Sequence, residues 1–247
     1  MMDMNNKIHQ SPEQEISSYV GKLLRDNFGR DPESVFVSIK KVFITVYFRN
    51  FLSPMEQVLI DQNQNNIVNH LRIKIFNSLI PEIKLYIEML TENTIQEFYY
   101  DWSLDNKSGM LTFLCSHAFG TSDDHIENYY GKEGLEAEMI KLSHYSQRAP
   151  DKINSYELNP RTILVVREGI MVRLEKELVR RGHQDILRTV KKEMEKTYLH
   201  NNIDLELILN KSIIDSFTAW DFQLDKSIFL FILNPDKQLN IPTVEMS

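Results

Sequence analysis

One segment of the chain gathers side chains of the types that bind metal ions. These are Cys115, His117, Asp123, Asp124 and His125. Zinc or iron can use a Cys-x-His pair together with a distal histidine. The spacing matches no standard site, and the stretch 117–132 has the glycine and aspartate content of a linker. We therefore interpret the segment as a buried strand-end cysteine followed by solvated linker residues, and we predict no cofactor. A metal-dependent enzyme that uses this segment is the least favoured of the three functions that we consider for the chain.

The motifs of nucleophilic catalysis and phosphate binding are missing from the sequence. It contains no Gly-x-Ser-x-Gly elbow, and Gly131-Lys132-Glu133-Gly134 lacks the spacing of a phosphate-binding loop. The sharpest local motif is Ser53-Pro54-Met55-Glu56. Its hydroxyl, proline and carboxylate stand at the spacings of a helix-capping box. We therefore expect a helix start at this motif and a protein without enzymatic activity.

Six other side chains are candidates for binding. They are Arg30, Arg49, Arg72, Trp102, Arg148 and Trp220. A guanidinium group can bind an anion or a partner carboxylate in bidentate fashion, although a salt bridge within the protein is the commoner role. The tryptophans, on predicted strands, can pack between helix and sheet or line an interface or a small-ligand pocket between the two halves.

A basic helix is predicted inside this acidic protein. Its cations are Arg173, Lys176, Arg180, Arg181, Arg188, Lys191, Lys192 and Lys196. A solvated face with pairs such as Glu177–Arg181 is the simpler interpretation. The alternative is a surface, centred on Arg180, Arg181, Lys191 and Lys192, that docks on anionic lipid or on an acidic partner helix.

Composition limits the classes of function. The formal charge of −7 and the isoelectric point near 5.6 disfavour nucleic-acid binding. The single cysteine excludes an internal disulfide framework and suits a reducing compartment. No apolar run reaches the roughly 18–20 residues of a membrane span, and residues 1–10 lack the apolar core of a signal peptide. We expect a cytoplasmic protein that contacts a membrane only peripherally.

The chain contains an internal repeat. Five residue pairs recur 118 positions apart: Arg30/Arg148, Pro32/Pro150, Arg49/Arg167, Glu88/Glu206 and Trp102/Trp220. The repeat predicts two tandem domains, residues 1–117 and 118–247, that form a pseudo-twofold pair.

Each half shows the pattern helix–hairpin–helix–hairpin (αββαββ), which makes the fold class α+β. In the first half we predict a helix from Ser11, a hairpin over 35–48 that turns at Lys40-Lys41, and a long helix from Ser53 to about Ile80. A new helical segment begins at Pro81, and two strands cover 95–102 and 110–115. In the second half we predict a helix over 135–145, a hairpin over 153–166 that turns at Asn159-Pro160, and helices over 171–199 and 203–209. Two strands, 213–220 and 228–233, complete it.

The first half resembles the MpsC family, named after a sodium-translocating, membrane-potential-generating system. The resemblance rests on Gly29-Arg30-Asp31-Pro32-Glu33-Ser34, on Leu52-Ser53-Pro54-Met55-Glu56, on the helix with Val68 and Arg72, and on the strand before Asp101. It covers residues 12–115. The second half keeps Arg148 and Pro150, but Ile170-Met171-Val172-Arg173 has lost the Ser-Pro-x-Glu cap, so it resembles a diverged copy.

The resemblance implies association with a membrane complex that handles ions or inorganic carbon, and it implies no agreed enzymatic activity. We therefore expect an accessory or regulatory protein whose partner is a protein such as a membrane transport subunit, or a second copy in a homodimer. The alternative is a sensor that binds a small molecule or an anion between the two halves.

Overall fold

The chain forms two units, each of which mixes α-helices with an antiparallel sheet. The computed structural model describes residues 10–120, 128–200, 202 and 204–234. Its contacts separate a first unit, residues 1–98 and 102–122, from a second unit, residues 99–101 and 123–247. The α+β class is confirmed, whereas the pseudo-twofold arrangement of the units stays a prediction. Asp123, Asp124 and His125 lie outside the described residues.

The first unit begins with a capped helix. Its elements are α1 (Pro12–Phe28), β1 (Ser34–Arg49), α2 (Pro54–Asp61), α3 (Asn65–Thr91), β2 (Ile95–Ser103) and β3 (Ser108–Phe119). Ser11 and Gln14 form the predicted capping box, since each side chain accepts a hydrogen bond from the other residue's backbone N–H. Helix α1 ends at Gly29, whose φ of 72° is the left-handed conformation that glycine adopts without steric cost.

Strand β1 folds back on itself at Lys41, where φ is +53°. The N–H of Glu33 donates to the carbonyl of Arg49 over 3.0 Å, and the Phe36 ring stacks on that of Tyr47 with centroids 6.0 Å apart. These contacts need two antiparallel limbs, so the predicted hairpin is confirmed. The second limb continues the sheet, because Phe43 to Phe48 pair with β3.

The predicted long helix of the first half is two helices. Asn63, with φ of +59°, ends α2, and α3 then continues through Pro81, where we predicted a new segment. A proline inside a helix costs about 3 kcal/mol. Here the Pro81 ring is exposed, and α3 buries Leu79 and Ile83 on either side of it. Packing of the apolar face therefore outweighs the missing hydrogen bond.

The second unit has the same order of strands. Its elements are α4 (Lys132–Ser146), β4 (Lys152–Asn159), β5 (Thr162–Glu168), α5 (Arg173–Arg180), α6 (Gln184–His200), α7 (Asp204–Leu209), β6 (Ser212–Asp221) and β7 (Lys226–Asn234). The sheet order is β4-β5-β7-β6, and in the first unit it is β1-β3-β2 with β1 contributing two limbs. The turn between β4 and β5 includes Pro160, as predicted. A break at Gly182, with φ of +82°, divides the predicted helix 171–199 into α5 and α6.

Residues with positive φ align the two units. Asn50 and Asn63 match Gly169 and Gly182 at an offset of 119, and Lys107 matches Asp225 at an offset of 118. The offset is therefore 119 at the end of β1 and in the helices that follow it, and 118 in the last strands.

The pairing of Arg49 with Arg167 in the sequence repeat is wrong by one residue. At the offset of 119, Arg49 matches Glu168: the backbone hydrogen bond from Glu33 to Arg49 recurs as the bond from Asp151 to Glu168. Arg167 instead matches Phe48: Arg167 pairs with Ser227 across β5 and β7, and Phe48 pairs with Gly109 across β1 and β3.

Candidate interaction surface and the buried ion pairs behind it

A buried ion pair holds α2 against α3 in the first unit. The Glu56 carboxylate accepts from the N–H of Ser53 over 2.7 Å, which completes the capping box. It also accepts from Arg72 of α3 over 2.7 Å and 3.2 Å. The Arg72 guanidinium donates to the carbonyl of Phe51 over 2.9 Å and lies within 6.0 Å of the ring centroids of Phe28, Phe51 and Trp102. Both charged side chains are buried, so each depends on the other.

The second unit contains the equivalent pair. Glu175 accepts from the N–H of Val172 over 2.9 Å and from Lys191 of α6 over 2.8 Å. Lys191 follows Glu175 by sixteen residues, as Arg72 follows Glu56. The serine and proline of the cap are lost, as predicted, but Glu175 still caps the helix start. Lys191 also donates to Gln147, the residue that caps α4. Burial, together with the nearby charge of Arg167, lowers the pKa of Lys191 more than the carboxylates of Glu175 and Glu195 raise it.

The second unit adds another buried ion pair where the first has two aromatic rings. Arg167 donates to Glu195 over 2.7 Å, to Ser143 over 2.8 Å and to Ser227 over 3.0 Å. At the offset of 119, Arg167 and Glu195 match Phe48 and Phe76, whose rings stack with centroids 6.4 Å apart.

Gly109, the strand partner of Phe48, shows why the first unit has aromatic rings where the second unit has an ion pair. A Cβ at Gly109 would overlap the Phe48 ring, whereas Ser227 at the equivalent position hydrogen-bonds Arg167. The two units therefore fill the same place in different ways, one with rings and one with charges.

The ion pairs join neighbouring elements and have no exposed face. Arg72, Glu56, Arg167 and Glu195 are buried, and their polar contacts are to protein groups. Within the described residues, no group of three or more His, Cys, Asp or Glu side chains could hold a metal ion. Burial raises the pKa of Cys115 to about 11, which keeps this thiol protonated and weakly nucleophilic at neutral pH.

Three of the predicted binding arginines lie at the surface in contacts within their own unit. Arg30 donates to the carbonyl of Leu52 over 3.3 Å, and Arg49 pairs with Glu33 over 2.9 Å. Arg148 pairs with Asp151. The structure brings Arg72 and Trp102 together in the core of the first unit.

Both tryptophans are core residues. Trp102 stacks on Phe76 with centroids 5.7 Å apart and donates from its indole nitrogen to Asn69 over 2.7 Å. Trp220 packs with Ile170, Met171 and Leu187. Its indole nitrogen is buried and has no hydrogen-bond partner among the described residues.

The four predicted docking cations do not share one environment. Arg180 and Arg181 are exposed and both donate to Glu177, over 2.7 Å to 2.8 Å. Lys191 is buried, so it cannot belong to a solvent-facing docking surface. Lys192 is partly buried and ion-paired. Only the two arginines of the set are therefore accessible.

Each unit exposes apolar side chains on the two helices that the Glu56 and Glu175 ion pairs hold together. Met55, Ile67 and Leu71 are 75 %, 51 % and 40 % exposed, and Leu174, Ile186 and Val190 are 70 %, 67 % and 46 % exposed. These residues match one another at the offset of 119. Val58 and Met194 add to the exposed apolar area of the first and the second unit, respectively. We name Met55, Val58, Ile67 and Leu71 the first helix face, and Leu174, Ile186, Val190 and Met194 the second helix face.

Helical periodicity places each face beside the buried stripe. Ile186, Val190 and Met194 recur every four residues and follow one side of α6, and the buried Leu187, Lys191 and Glu195 follow the adjacent side. The ion pair therefore fixes which side of the helix faces solvent. Sequence patterning missed the two faces because their residues count as core in a helical pattern. The signal that finds them is their recurrence at the offset of 119.

The fold and its recurring elements define a tandem pair of related α+β units. The family model described as "Na+-translocating membrane potential-generating system (MpsC)" matches residues 9–117 and, separately, residues 134–235. The chain therefore belongs to the MpsC family and contains two copies of its unit. No curated protein and no solved structure matches the chain. None of the described helices is long and apolar enough to cross a bilayer.

Proposed function

We propose that this chain is a non-catalytic accessory subunit that binds a protein partner in a membrane-associated ion-translocating system. The family is linked to a sodium-translocating system that generates membrane potential. The accessory role and the protein partner are our own inference. The observation that carries them is the presence of exposed apolar residues at equivalent positions in both helix faces.

Large apolar side chains are unfavourable in water, and partner binding explains why both helix faces keep them exposed. Scattered exposed apolar side chains are normal on protein surfaces, but groups of them commonly mark interaction sites. Three positions in each unit keep a large apolar side chain, whereas nearby exposed positions differ: Asp61 matches Arg180, and Gln62 matches Arg181. Retention of apolar character at exposed sites, while their surroundings change charge, supports a shared binding role.

The scaffold behind the faces supports the same role. The ion pairs Glu56–Arg72 and Glu175–Lys191 link the start of one helix to the middle of the next. A surface built on two clamped helices loses little conformational entropy when it binds, which favours affinity.

The test compares capture of membrane proteins by variants of the full chain. The first variant is Met55→Ser with Ile67→Ser and Leu71→Ser, and the second is Leu174→Ser with Ile186→Ser and Val190→Ser. The tagged proteins are incubated with membranes of the native cell in mild detergent, and captured proteins are identified by mass spectrometry. We expect a specific partner that the wild type retains and that at least one variant loses.

A matched control separates this effect from a general loss of apolar surface. Leu85→Ser with Leu224→Ser removes two exposed leucines that are outside both faces. This variant should capture the partner protein as efficiently as the wild type does. Circular dichroism checks that all variants are folded. A partner retained equally by every folded variant would refute the proposal, as would the absence of any specific partner.

A further inference from the structure

We infer that the second helix face binds an acidic, amphipathic segment of the partner protein. This inference rests on the proposed function and specifies the partner's chemistry at one of the two faces. It starts from four exposed arginines on α5, α6 and the residue that ends α5. They are Arg173, Arg180, Arg181 and Arg188.

The first unit lacks charge of this sign at the equivalent positions. At the offset of 119, the four arginines match Pro54, Asp61, Gln62 and Asn69. The aliphatic side chains of the face recur in both units, but the cations occur in the second unit alone. The second helix face therefore combines the shared apolar contact with a charge requirement of its own.

The net charge of this region is opposite to that of the whole chain. Residues 173–200 contain eight Lys and Arg against five Asp and Glu, whereas the chain as a whole has a formal charge of −7. An acidic partner is repelled by most of the protein and attracted at α5 and α6. Such an arrangement orients the encounter and accelerates association.

Arg180 and Arg181 are oriented by Glu177 and keep N–H donors for carboxylates of a partner. Glu177 accepts from Nε and Nη2 of Arg180 and from Nε of Arg181, over 2.7 Å to 2.8 Å. The hydrogen bonds from Arg180 and Arg181 lower the pKa of Glu177, so this carboxylate stays charged. A guanidinium group has five N–H donors. Each arginine therefore keeps donors for a second acceptor while Glu177 limits its motion.

The helical wheel places apolar and charged contacts close together on α5. Arg181 follows Leu174 by seven residues, two helical turns on the same side. An amphipathic helix that lays its apolar side on Leu174 and the stripe Ile186–Val190 would bring its acidic flank to these arginines, as in helix-in-groove recognition.

An anionic lipid surface fits this face less well than a protein segment. Carboxylates are mixed with the arginines on the same helices: the side chain of Asp185 is 88 % exposed, and Glu193 is exposed. A uniform layer of anionic headgroups would repel these groups, whereas a folded partner can place its charges to match both signs.

The experiment uses the full chain with a photo-crosslinking amino acid in place of Met194, a member of the second helix face. After illumination with native membranes in mild detergent, mass spectrometry gives the sequence of the crosslinked partner segment. We expect a segment rich in Asp and Glu with apolar residues spaced three or four apart. Changing Arg173, Arg180, Arg181 and Arg188 to Gln should reduce its capture about tenfold, and added salt should weaken capture by the wild type.

A control with the same net charge removes four exposed cations elsewhere: Lys22→Gln, Lys74→Gln, Lys152→Gln and Arg161→Gln. It should capture the segment as the wild type does. A crosslinked segment that is neutral or basic overturns the inference, as does capture that the four arginine substitutions leave unchanged. Flotation with phosphatidylglycerol vesicles is the lipid arm, and binding to vesicles that depends on the arginines, without arginine-dependent capture of protein, also overturns it.

The same data separate the two proposals. Capture that is lost in Leu174→Ser with Ile186→Ser and Val190→Ser, yet unchanged in the arginine variant, keeps the accessory function and refutes the acidic partner. Capture that neither set of substitutions affects refutes both.

Discussion

Lys191 in the second unit occupies the position that Arg72 occupies in the first. Each is buried on the helix that follows the cap, and each pairs with a glutamate sixteen residues earlier that also caps the preceding helix. The cation differs between the units and so do its other neighbours, which are aromatic rings around Arg72 and the amide oxygen of Gln147 beside Lys191. The relationship of carboxylate, cap and cation is thus a feature of the unit that has persisted while its surroundings changed.

The first prediction concerns the Glu56–Arg72 pair. Glu56→Gln leaves the Arg72 guanidinium buried without a countercharge, and we expect the free energy of unfolding of the first unit to fall by about 3–5 kcal/mol. The chain has two tryptophans, one in each unit. Urea unfolding followed by Trp102 fluorescence in a Trp220→Phe background therefore reports on the first unit.

The control for this prediction is the exposed pair of the same unit. Glu33 binds Arg49 over 2.9 Å with both side chains about half exposed, and solvent screens such a pair. Glu33→Gln should leave the urea midpoint unchanged within error. An equal loss of stability from the two substitutions would contradict a special role for the buried pair.

The second prediction concerns replacement of the buried Arg167–Glu195 ion pair of the second unit by the two phenylalanines that the first unit has at the equivalent positions. Arg167→Phe alone leaves the buried Glu195 carboxylate hydrogen-bonded to the Thr218 hydroxyl but without its guanidinium partner. Glu195→Phe alone leaves the Arg167 guanidinium buried without a carboxylate partner, so each substitution should destabilise the second unit by about 3–5 kcal/mol. The combination with Ser227→Gly recreates the arrangement of Phe48, Phe76 and Gly109. We expect this triple variant to recover most of the loss, because hydrophobic replacement of a whole buried ion pair is often neutral.

The readout for the exchange is urea unfolding followed by Trp220 fluorescence in a Trp102→Phe background. Ser143 keeps its hydrogen bond to the carbonyl of Met139 in all variants, which limits new unsatisfied groups. Losses that simply add across the variants would show that Arg167 and Glu195 do not act as a unit.

The sequence predicted the fold class, the repeat, both hairpins and the cap at Ser11, because these depend on local patterns. The sequence repeat aligns Arg49 with Arg167 because the two residues are identical. The strand pairing shows instead that Arg167 occupies the position equivalent to Phe48. No local pattern distinguishes a buried lysine in a basic run, so the sequence predicts Lys191 at the surface, which is wrong. Its burial follows from its four-residue spacing from Leu187 and Glu195 and from a carboxylate on another helix.

The third prediction concerns the indole nitrogen of Trp220, which is buried without an acceptor among the described residues. Asn69 accepts from the equivalent nitrogen of Trp102, and Arg188 stands at the position of Asn69 in the second unit. Arg188→Asn should supply the missing acceptor and raise the free energy of unfolding by about 1 kcal/mol. The indole N–H proton resonance should move downfield as the bond forms.

Arg188→Leu is the matched control for that change. Both substitutions remove the guanidinium group, which lies 5.4 Å from the Phe222 ring centroid, and only asparagine adds an oxygen acceptor. A gain of stability with leucine equal to that with asparagine would mean that the indole plays no part.

The fourth prediction is a pH dependence that arises at the entry to α5. Burial alone would raise the pKa of Asp225, but hydrogen bonds from Lys176 and from the N–H groups of Met171 and Ile170 lower it on balance. The pKa of Asp225 in the folded state thus lies below its value in the unfolded chain. Its contribution to stability is complete above the unfolded pKa and is lost as the pH falls through the folded pKa, since the unfolded state binds more protons in that window.

Two substitutions test this origin. Asp225→Asn should lower stability at neutral pH and flatten the decrease in the free energy of unfolding below about pH 4, the ordinary aspartate range. Lys176→Met should flatten it in part, because it removes one of the groups that lower the pKa and leaves the two backbone donors in place. Free energies of unfolding from urea titrations across the acid range supply the measurement. An acid dependence in both variants as steep as that of the wild type would place the acid-sensitive group elsewhere and remove Asp225 as the residue that couples protonation to the start of α5.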